Sequence, residues 1–169
     1  MGSEADMITG WQTASTQIIP SFGKPEWIPG NSAHYADKGE RTGAGKKLRV
    51  IVIDDETLIA ETVVEILKEE GFEATAVSNG ASAIELARTW DPDIVLSDVI
   101  MPGLNGIETG TKILEISPNC RIILFSGQAA TVDLLEKARQ QGRNFDILAK
   151  PIKPQQLISV IRGNTGYSS

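Results

Sequence analysis

Asp93-Ile94-Val95-Leu96-Ser97-Asp98-Val99-Ile100-Met101-Pro102-Gly103-Leu104-Asn105-Gly106 decides how the rest of this chain is read. Its first half is a short apolar run, too brief for a helix and rich in branched side chains, so it reads as a buried strand. The run stops at one carboxylate, Asp98, and then at Pro102-Gly103, which break regular structure. A strand that ends on an acid and opens into a Pro/Gly loop presents that acid at its carboxyl edge. In open parallel sheets that edge is where ligands bind. The bland alternative is a surface Asp that merely stops a strand, and what the other strand ends supply decides between the two.

Working outward, the same alternation repeats. Leu48 to Ile53 reads as a strand ended by Asp54-Asp55-Glu56. Glu56 to Glu70 places Ile59, Val63, Ile66 and Leu67 on one helical face, and Gly71 supplies the stop. Glu73 to Val77 is a weaker strand, and Ala81 to Trp90 a helix with Ile84 and Ala87 inward. Beyond the central stretch, Gly106 to Ile116 is a helix and Arg121 to Phe125 a strand ended by Ser126-Gly127. Ala129 to Gln141 is a helix, and Phe145 to Ala149 a strand ended by Lys150-Pro151. Pro154 to Arg162 is a last helix burying Leu157, Val160 and Ile161. Five apolar strands separated by helix-length segments argue for an α/β doubly wound parallel sheet. Right-handed crossovers leave few topologies, and a flavodoxin-like (βα)5 sheet of order 2-1-3-4-5 is the expectation.

Composition narrows the function classes. The chain has 169 residues, 41% of them hydrophobic and 22% charged, with a net charge of −6. Residues 1–47 carry five acids and five bases, so the whole negative balance falls on residues 48–169. That is no footprint for nucleic acid. One cysteine, Cys120, excludes an internal disulfide and a cysteine metal cluster, and it reads as a buried or half-buried structural thiol. The single histidine, His34, lies far from every strand end, which argues against a Ser-His-Asp triad or a histidine metal site. No apolar stretch approaches a membrane span or a signal peptide, and a cytoplasmic setting is expected.

Residues 1–47 hold Pro20, Pro25, Pro29 and no sustained period, so they read as a disordered or flexible N-terminal extension. The sharper alternative is a tail that docks through Trp11 and Trp27. Gly39 to Lys47 superficially resembles a P-loop, but Glu40 replaces the opening Gly and Lys47 replaces the Ser/Thr that would hold magnesium. It reads as a linker to a folded domain over residues 48–163, with 164–169 as a short tail.

In a sheet of this order every strand's carboxyl end lies on one edge. Central strands bring Asp54, Asp55, Asp98 and Ser126 there, and the last strand brings Lys150. Crowded carboxylates repel one another unless a cation neutralises them. Oxygen ligands without His or Cys favour a hard divalent ion such as magnesium. Lys150 is a point charge suited to phosphate, Ser126 a hydroxyl donor, and Gly127 leaves room for a phosphoryl group. A carboxylate nucleophile, a charge-offsetting metal and donors around the transferred group suit an aspartyl-phosphate.

The Asp54-Asp55 pair, Asp98 followed by Met101-Pro102-Gly103-Leu104-Asn105-Gly106, Ser126-Gly127 and Lys150-Pro151 resemble the receiver domains of bacterial two-component response regulators. The resemblance covers Leu48 to about Gly163. It implies Asp98 as phosphoacceptor and Asp54, Asp55, Asp98 and the backbone carbonyl of Ile100 around Mg2+, with Mn2+ as the substitute. It further implies that Ser126, Gly127 and Lys150 contact the phosphoryl group. The family usually carries an aromatic residue three positions before the lysine, and here that position is Ile147, with Phe145 two residues further back. Ser126, Ile147 and Phe145 are therefore the expected switch and output surface, without an aromatic ring free to swing at position 147.

The resemblance implies a single-domain response regulator, a monomer or weak dimer. Its phosphoryl donor would be a sensor histidine kinase or a histidine phosphotransfer protein. Only residues 164–169 follow the last helix, so its output is expected to be an unidentified protein contact, with no nucleic acid, no membrane and no enzymatic turnover beyond its own phosphorylation and dephosphorylation. Two other classes compete. One is a phosphorylation-independent interaction module that has kept the fold, which the intact Asp55, Asp98 and Lys150 disfavour. The other is a Mg-dependent aspartyl-phosphate phosphohydrolase, which needs a second acid two residues after the nucleophile, where this chain has Ile100.

Overall fold

The computed structural model describes residues 45–127, 131–143 and 145–163. The expectations for the extension over residues 1–44, for the tail over 164–169, and for the opening of the fourth helix at 128–130 lie outside the described residues. Ten elements alternate along the chain: β1 (Arg49–Ile53), α1 (Thr57–Glu69), β2 (Glu73–Val77), α2 (Gly80–Trp90), β3 (Ile94–Asp98), α3 (Gly106–Ile116), β4 (Arg121–Ser126), α4 (Thr131–Gln140), β5 (Asp146–Ala149) and α5 (Pro154–Ile161). The strands are all parallel, in the order β2-β1-β3-β4-β5, as anticipated.

Period-2 alternation divides each central strand between two apolar layers. Val50 and Val52 of β1, Ile94 and Leu96 of β3, and Ile123 and Phe125 of β4 pack with Val64 and Leu67 of α1 and Leu157 and Ile161 of α5. Their neighbours Ile51, Ile53, Val95, Ile122 and Leu124 face the other way, onto Ala83 and Ile84 of α2 and Ile113 of α3. Both faces are covered, which is why these strands read as unbroken apolar runs. Truncating a fully buried side chain such as Ile51 or Leu124 to Ala would cost roughly 2–5 kcal/mol.

The helix ends follow local chemistry. Gly71, with φ of +92°, takes the left-handed turn that ends α1 without Cβ strain. At the other end of the same unit, Asn79 caps α2 by accepting from the Ser82 N–H at 2.8 Å. The stripe that α1 buries differs from the expected one. Ala60, Val64 and Leu67 are buried, Val63 and Ile66 are half-buried, and Ile59 is 40% exposed. The small side chain of Ala60 lets the first turn lie close to the sheet, which rotates Ile59 outward. Cys120 is buried, and no helix among the described residues is long and apolar enough to cross a membrane.

Candidate functional site

Asp98 ends β3, and the loop after it is held from both sides. Val99 donates its N–H to the Phe125 carbonyl at 3.1 Å, and Gly106 donates to the Val99 carbonyl at 3.0 Å. The Ser97 hydroxyl donates to the Asp98 carbonyl at 2.9 Å. α3 then starts hard against the acid's backbone. A Cβ on Gly106 would stand 2.1 Å from the Asp98 carbonyl oxygen, so only glycine fits there. Asn105 and Glu108 close a reciprocal capping box on α3, with the Asn105 side chain 2.8 Å from the Glu108 N–H. The helix therefore keeps its first turn without drawing on Asp98.

β1 and β3 are neighbours, so the acid pair and the single acid arrive at one edge. One carboxylate oxygen from each of Asp54, Asp55 and Asp98 lies within 4.8 Å of the others. Asp54 is buried, Asp98 half-buried and Asp55 exposed. Asp54 Oδ1 accepts from the Glu56 N–H at 2.9 Å, whereas Asp54 Oδ2 is buried with no hydrogen-bond partner. Lys150 Nζ stands 3.7 Å from that oxygen, an ion-pair distance too long for a hydrogen bond. The same ammonium donates to Asp98 Oδ2 at 3.0 Å, and the Ile100 N–H reaches Asp98 Oδ1 at 3.3 Å. Three clustered carboxylates, two of them on one ammonium and one keeping an unsatisfied buried oxygen, fit a hard divalent cation.

The remaining anticipated residues are placed as follows. Ser126 ends β4 beside Ala149, and its carbonyl accepts from the Lys150 N–H at 2.8 Å. Gly127 is exposed, and a Cβ on it would meet the Lys150 stem at 3.6 Å, an ordinary contact. The room at this glycine thus adjoins the lysine. Ile147 is half-buried opposite Leu124. Phe145 is not a surface residue as expected: it is 5% exposed and packs in the core. Its ring lies where a Cβ on Gly110 would approach within 3.3 Å, so the missing side chain on α3 makes the notch that accepts it. The sequence reading also missed Ser97, the Asn105–Glu108 box and the demand on Gly106. The motif Ser/Asn-x-x-Glu at a helix start was the available signal for the box. A separate cavity lined by Leu48, Asp91, Asp93, Ser117 and Cys120 lies at the opposite end of the strands and shares no residue with the acids.

Comparison with known proteins agrees with this geometry. Residues 50–162 match the family described as the response regulator receiver domain. The DNA-binding response regulator MtrA of Mycobacterium tuberculosis is 32% identical over 114 residues, which span 68% of this chain and 49% of that protein. The chain thus spans about half the length of these first relatives. The chemotaxis protein CheY of Thermotoga maritima is 30% identical over 114 residues, covering 67% of this chain and 93% of CheY. Among solved structures, a CheY-like receiver domain protein from Methanospirillum hungatei superposes with a TM-score of 0.64 at 22% identity, over 70% of this chain and 94% of its own. A two-component transcriptional regulator from Clostridium phytofermentans gives 0.61 at 30% identity, over 69% and 92%. With five parallel strands in the order 2-1-3-4-5 and the acid cluster at their carboxyl edge, the chain belongs to the response regulator receiver domains of two-component signalling.

Proposed function

We propose that this chain works in the cytoplasm as a phosphoryl acceptor. In this reading it takes the group onto Asp98 from the phosphorylated imidazole of a sensor histidine kinase or a histidine phosphotransfer protein, and signals by protein contact. One observation carries the reading: Lys150 Nζ bridges Asp98 Oδ2 at 3.0 Å and Asp54 Oδ2 at 3.7 Å beside a third carboxylate.

A carboxylate oxygen of Asp98 bonds to phosphorus as the donor's P–N bond breaks. The electron pair stays on the ring nitrogen, and the imidazole leaves neutral once its ring carries a proton. Lys150 holds the carboxylate in place and meets the incoming phosphoryl oxygens as a point charge. The Ser126 hydroxyl donates to the same group, and Gly127 keeps the approach over the Lys150 stem open. Asp54, Asp55, Asp98 and the Ile100 carbonyl would hold Mg2+, or Mn2+ in its place, which offsets the negative charge around the transferred group. Asp98 is itself the acceptor, so the chemistry is self-phosphorylation and hydrolysis of that phosphoryl group, without turnover of a separate substrate.

The donor needs a surface beside the acid. Leu58, Ile59 and Ile100 are 77%, 40% and 47% exposed, and they flank the acids in sequence. An apolar helix face on the donor that covers Leu58 and Ile100 would bring its imidazole to Asp98 and exclude water. On the output side, Phe145 is held in the Gly110 notch, so the switch runs through Ser126 and the face of α4. Partner binding should be lost on mutating the exposed face of α4 or Ile147, while Asp98 still phosphorylates normally.

Intact-mass spectrometry after incubation with acetyl phosphate and Mg2+ tests the acceptor. Addition of one phosphoryl group that is abolished in Asp98→Asn is the expected result. Undiminished labelling of that variant sinks the assignment.

A further inference from the structure

At the end of the strands away from the acids, β4 and β5 hold buried charge that the phosphoryl chemistry does not use. Arg121 opens β4 and Asp146 opens β5, at 6% and 4% exposure, and Arg121 Nε donates to Asp146 Oδ2. The same guanidinium donates through Nη1 to the carbonyls of Val160 at 2.6 Å and Ile161 at 3.4 Å, the last two residues of α5. A buried ion pair is a weak source of net stability, because well-packed apolar residues of similar volume often serve as well. What the planar guanidinium adds is direction: it dictates where its partners stand.

β5 is the element that needs such direction. It has four residues and lies at the sheet's edge, pairing with β4 alone. A slip of two residues would return the same side chains to the same faces, so the apolar pattern of so short a strand specifies register weakly. β5 also runs directly into Lys150. The register that sets Ser126 opposite Ala149 also sets the Lys150 N–H on the Ser126 carbonyl and the ammonium on Asp98. Asp146 and Lys150 lie about 13 Å apart along an extended chain, so displacement at the base carries the ammonium with it.

We infer that Arg121 and Asp146 are a positioning pair that fixes the register of β5 on β4, and through it the reach of Lys150 to Asp98, while tying the end of α5 to the same two strands. The role of Lys150 in this statement rests on the reading given under Proposed function; the register does not.

The test compares Arg121→Met/Asp146→Leu, Lys150→Met and the triple variant in the full chain. Melting temperature, backbone NMR contacts between Ser126 and Ala149, and the initial rate of phosphoryl uptake from acetyl phosphate with Mg2+ are measured. The apolar double variant is expected to melt close to wild type, to lose or split the Ser126–Ala149 contacts, and to take up phosphoryl about tenfold more slowly. In the Lys150→Met background the same exchange should change uptake by less than about twofold, because the pair acts through Lys150. A double variant with a single wild-type register overturns the inference, as does equal slowing with and without Lys150. Should the double variant fail to fold, Arg121→Lys replaces it: the charge remains, the fork is gone, and the same splitting of contacts is expected. A wild type that takes up no phosphoryl group defeats the acceptor reading, and the NMR register then decides the pair on its own.

Discussion

At the amino edge of the sheet, arginines close the ends of helices. Arg49 donates to the Trp90 carbonyl at the end of α2 at 2.9 Å and pairs with Glu73 at 3.7 Å. Arg121 does the same for α5 with Asp146 as its acid. Arg162 reaches the Glu70 carbonyl beyond α1 at 3.2 Å and the Glu70 carboxylate at 2.7 Å. At the carboxyl edge, Asp54 and Asp98 share Lys150 beside the exposed Asp55, and Asp54 keeps a buried oxygen unsatisfied. Parallel winding explains the contrast. Helix C-termini, the negative ends of their dipoles, gather at the amino edge, where one guanidinium serves carbonyls and a carboxylate together. Helix N-termini gather at the other edge and favour anions, so acids collect there with less compensation. One edge holds the fold together, and the other gathers acids that fit a divalent cation.

The largest expected effect separates the two edges. Arg121→Ala takes the guanidinium away from the buried carboxylate of Asp146 and should cost about 3–5 kcal/mol in chemical denaturation. Lys150→Met removes a cation that is 31% exposed and should cost less than Arg121→Ala, because solvent reaches the ammonium, while slowing phosphoryl uptake at Asp98 severely. If both variants lose stability alike, the division of labour between the edges is wrong.

Between the edges the fold rests on packing, and there the effect is smaller. A Cβ on Gly110 would meet Ile122 Cγ2 at 2.9 Å and Phe145 Cε1 at 3.3 Å. Gly110→Ala should therefore cost about 1–3 kcal/mol, as overpacked cores do. Adding Phe145→Leu should recover part of the loss in a double-mutant cycle. Additive losses would show that the glycine and the ring are not one unit.

That pair also marks where the sequence stopped being legible. Strands of branched residues ended by acids announced the sheet, its order and the edge where Asp54, Asp55, Asp98 and Lys150 meet, because strand burial and strand ends are local features. Phe145 was misplaced on the surface because its burial depends on a glycine 35 positions earlier, on another element. The stripe on α1 was right at Leu67 but off by one in the first two turns, since Ala60 and Ile59 are both apolar and only the approach to the sheet chooses between them. Arg121 and Asp146 look like ordinary polar strand openings. Nothing in their neighbours tells that both are buried or that Arg121 reaches the end of α5.

A metal titration sharpens the comparison at the carboxyl edge. Mg2+ at ten times its dissociation constant should stabilise wild type by about 1.4 kcal/mol, by mass action on the folded state. Asp55→Ala should lose most of that gain without loss of stability in metal-free buffer, because Asp55 is exposed and its removal relieves repulsion among the acids. The amino-edge variant Arg121→Lys should keep the full metal-dependent gain. A gain that disappears in Arg121→Lys and survives in Asp55→Ala would reverse the assignment of the edges.

The smallest effect divides the carboxyl edge itself. Asn79 caps α2 and Asn105 caps α3, each with its side chain 2.8 Å from a backbone N–H of the first turn. Replacing either by Ala should cost about 1 kcal/mol, the usual value of an N-cap. By stability alone the two variants should be hard to tell apart. Their surroundings differ, however. The residue after Asn105 is Gly106, whose backbone lies against the Asp98 carbonyl and whose N–H holds the Val99 carbonyl at 3.0 Å. Fraying of α3 therefore loosens the loop that aims Asp98, whereas fraying of α2 loosens the turn after Val77, whose carbonyl accepts from the N–H of Asp54, not of Asp98, at 3.3 Å. Asn105→Ala should slow phosphoryl uptake from acetyl phosphate by about tenfold, in line with the sensitivity of a positioned nucleophile to small displacements. Asn79→Ala should leave uptake within about twofold of wild type at the same loss of stability. Equal uptake in the two variants would mean that the capping box on α3 serves the helix alone, and that Asp98 is aimed by β3 and Lys150 without it.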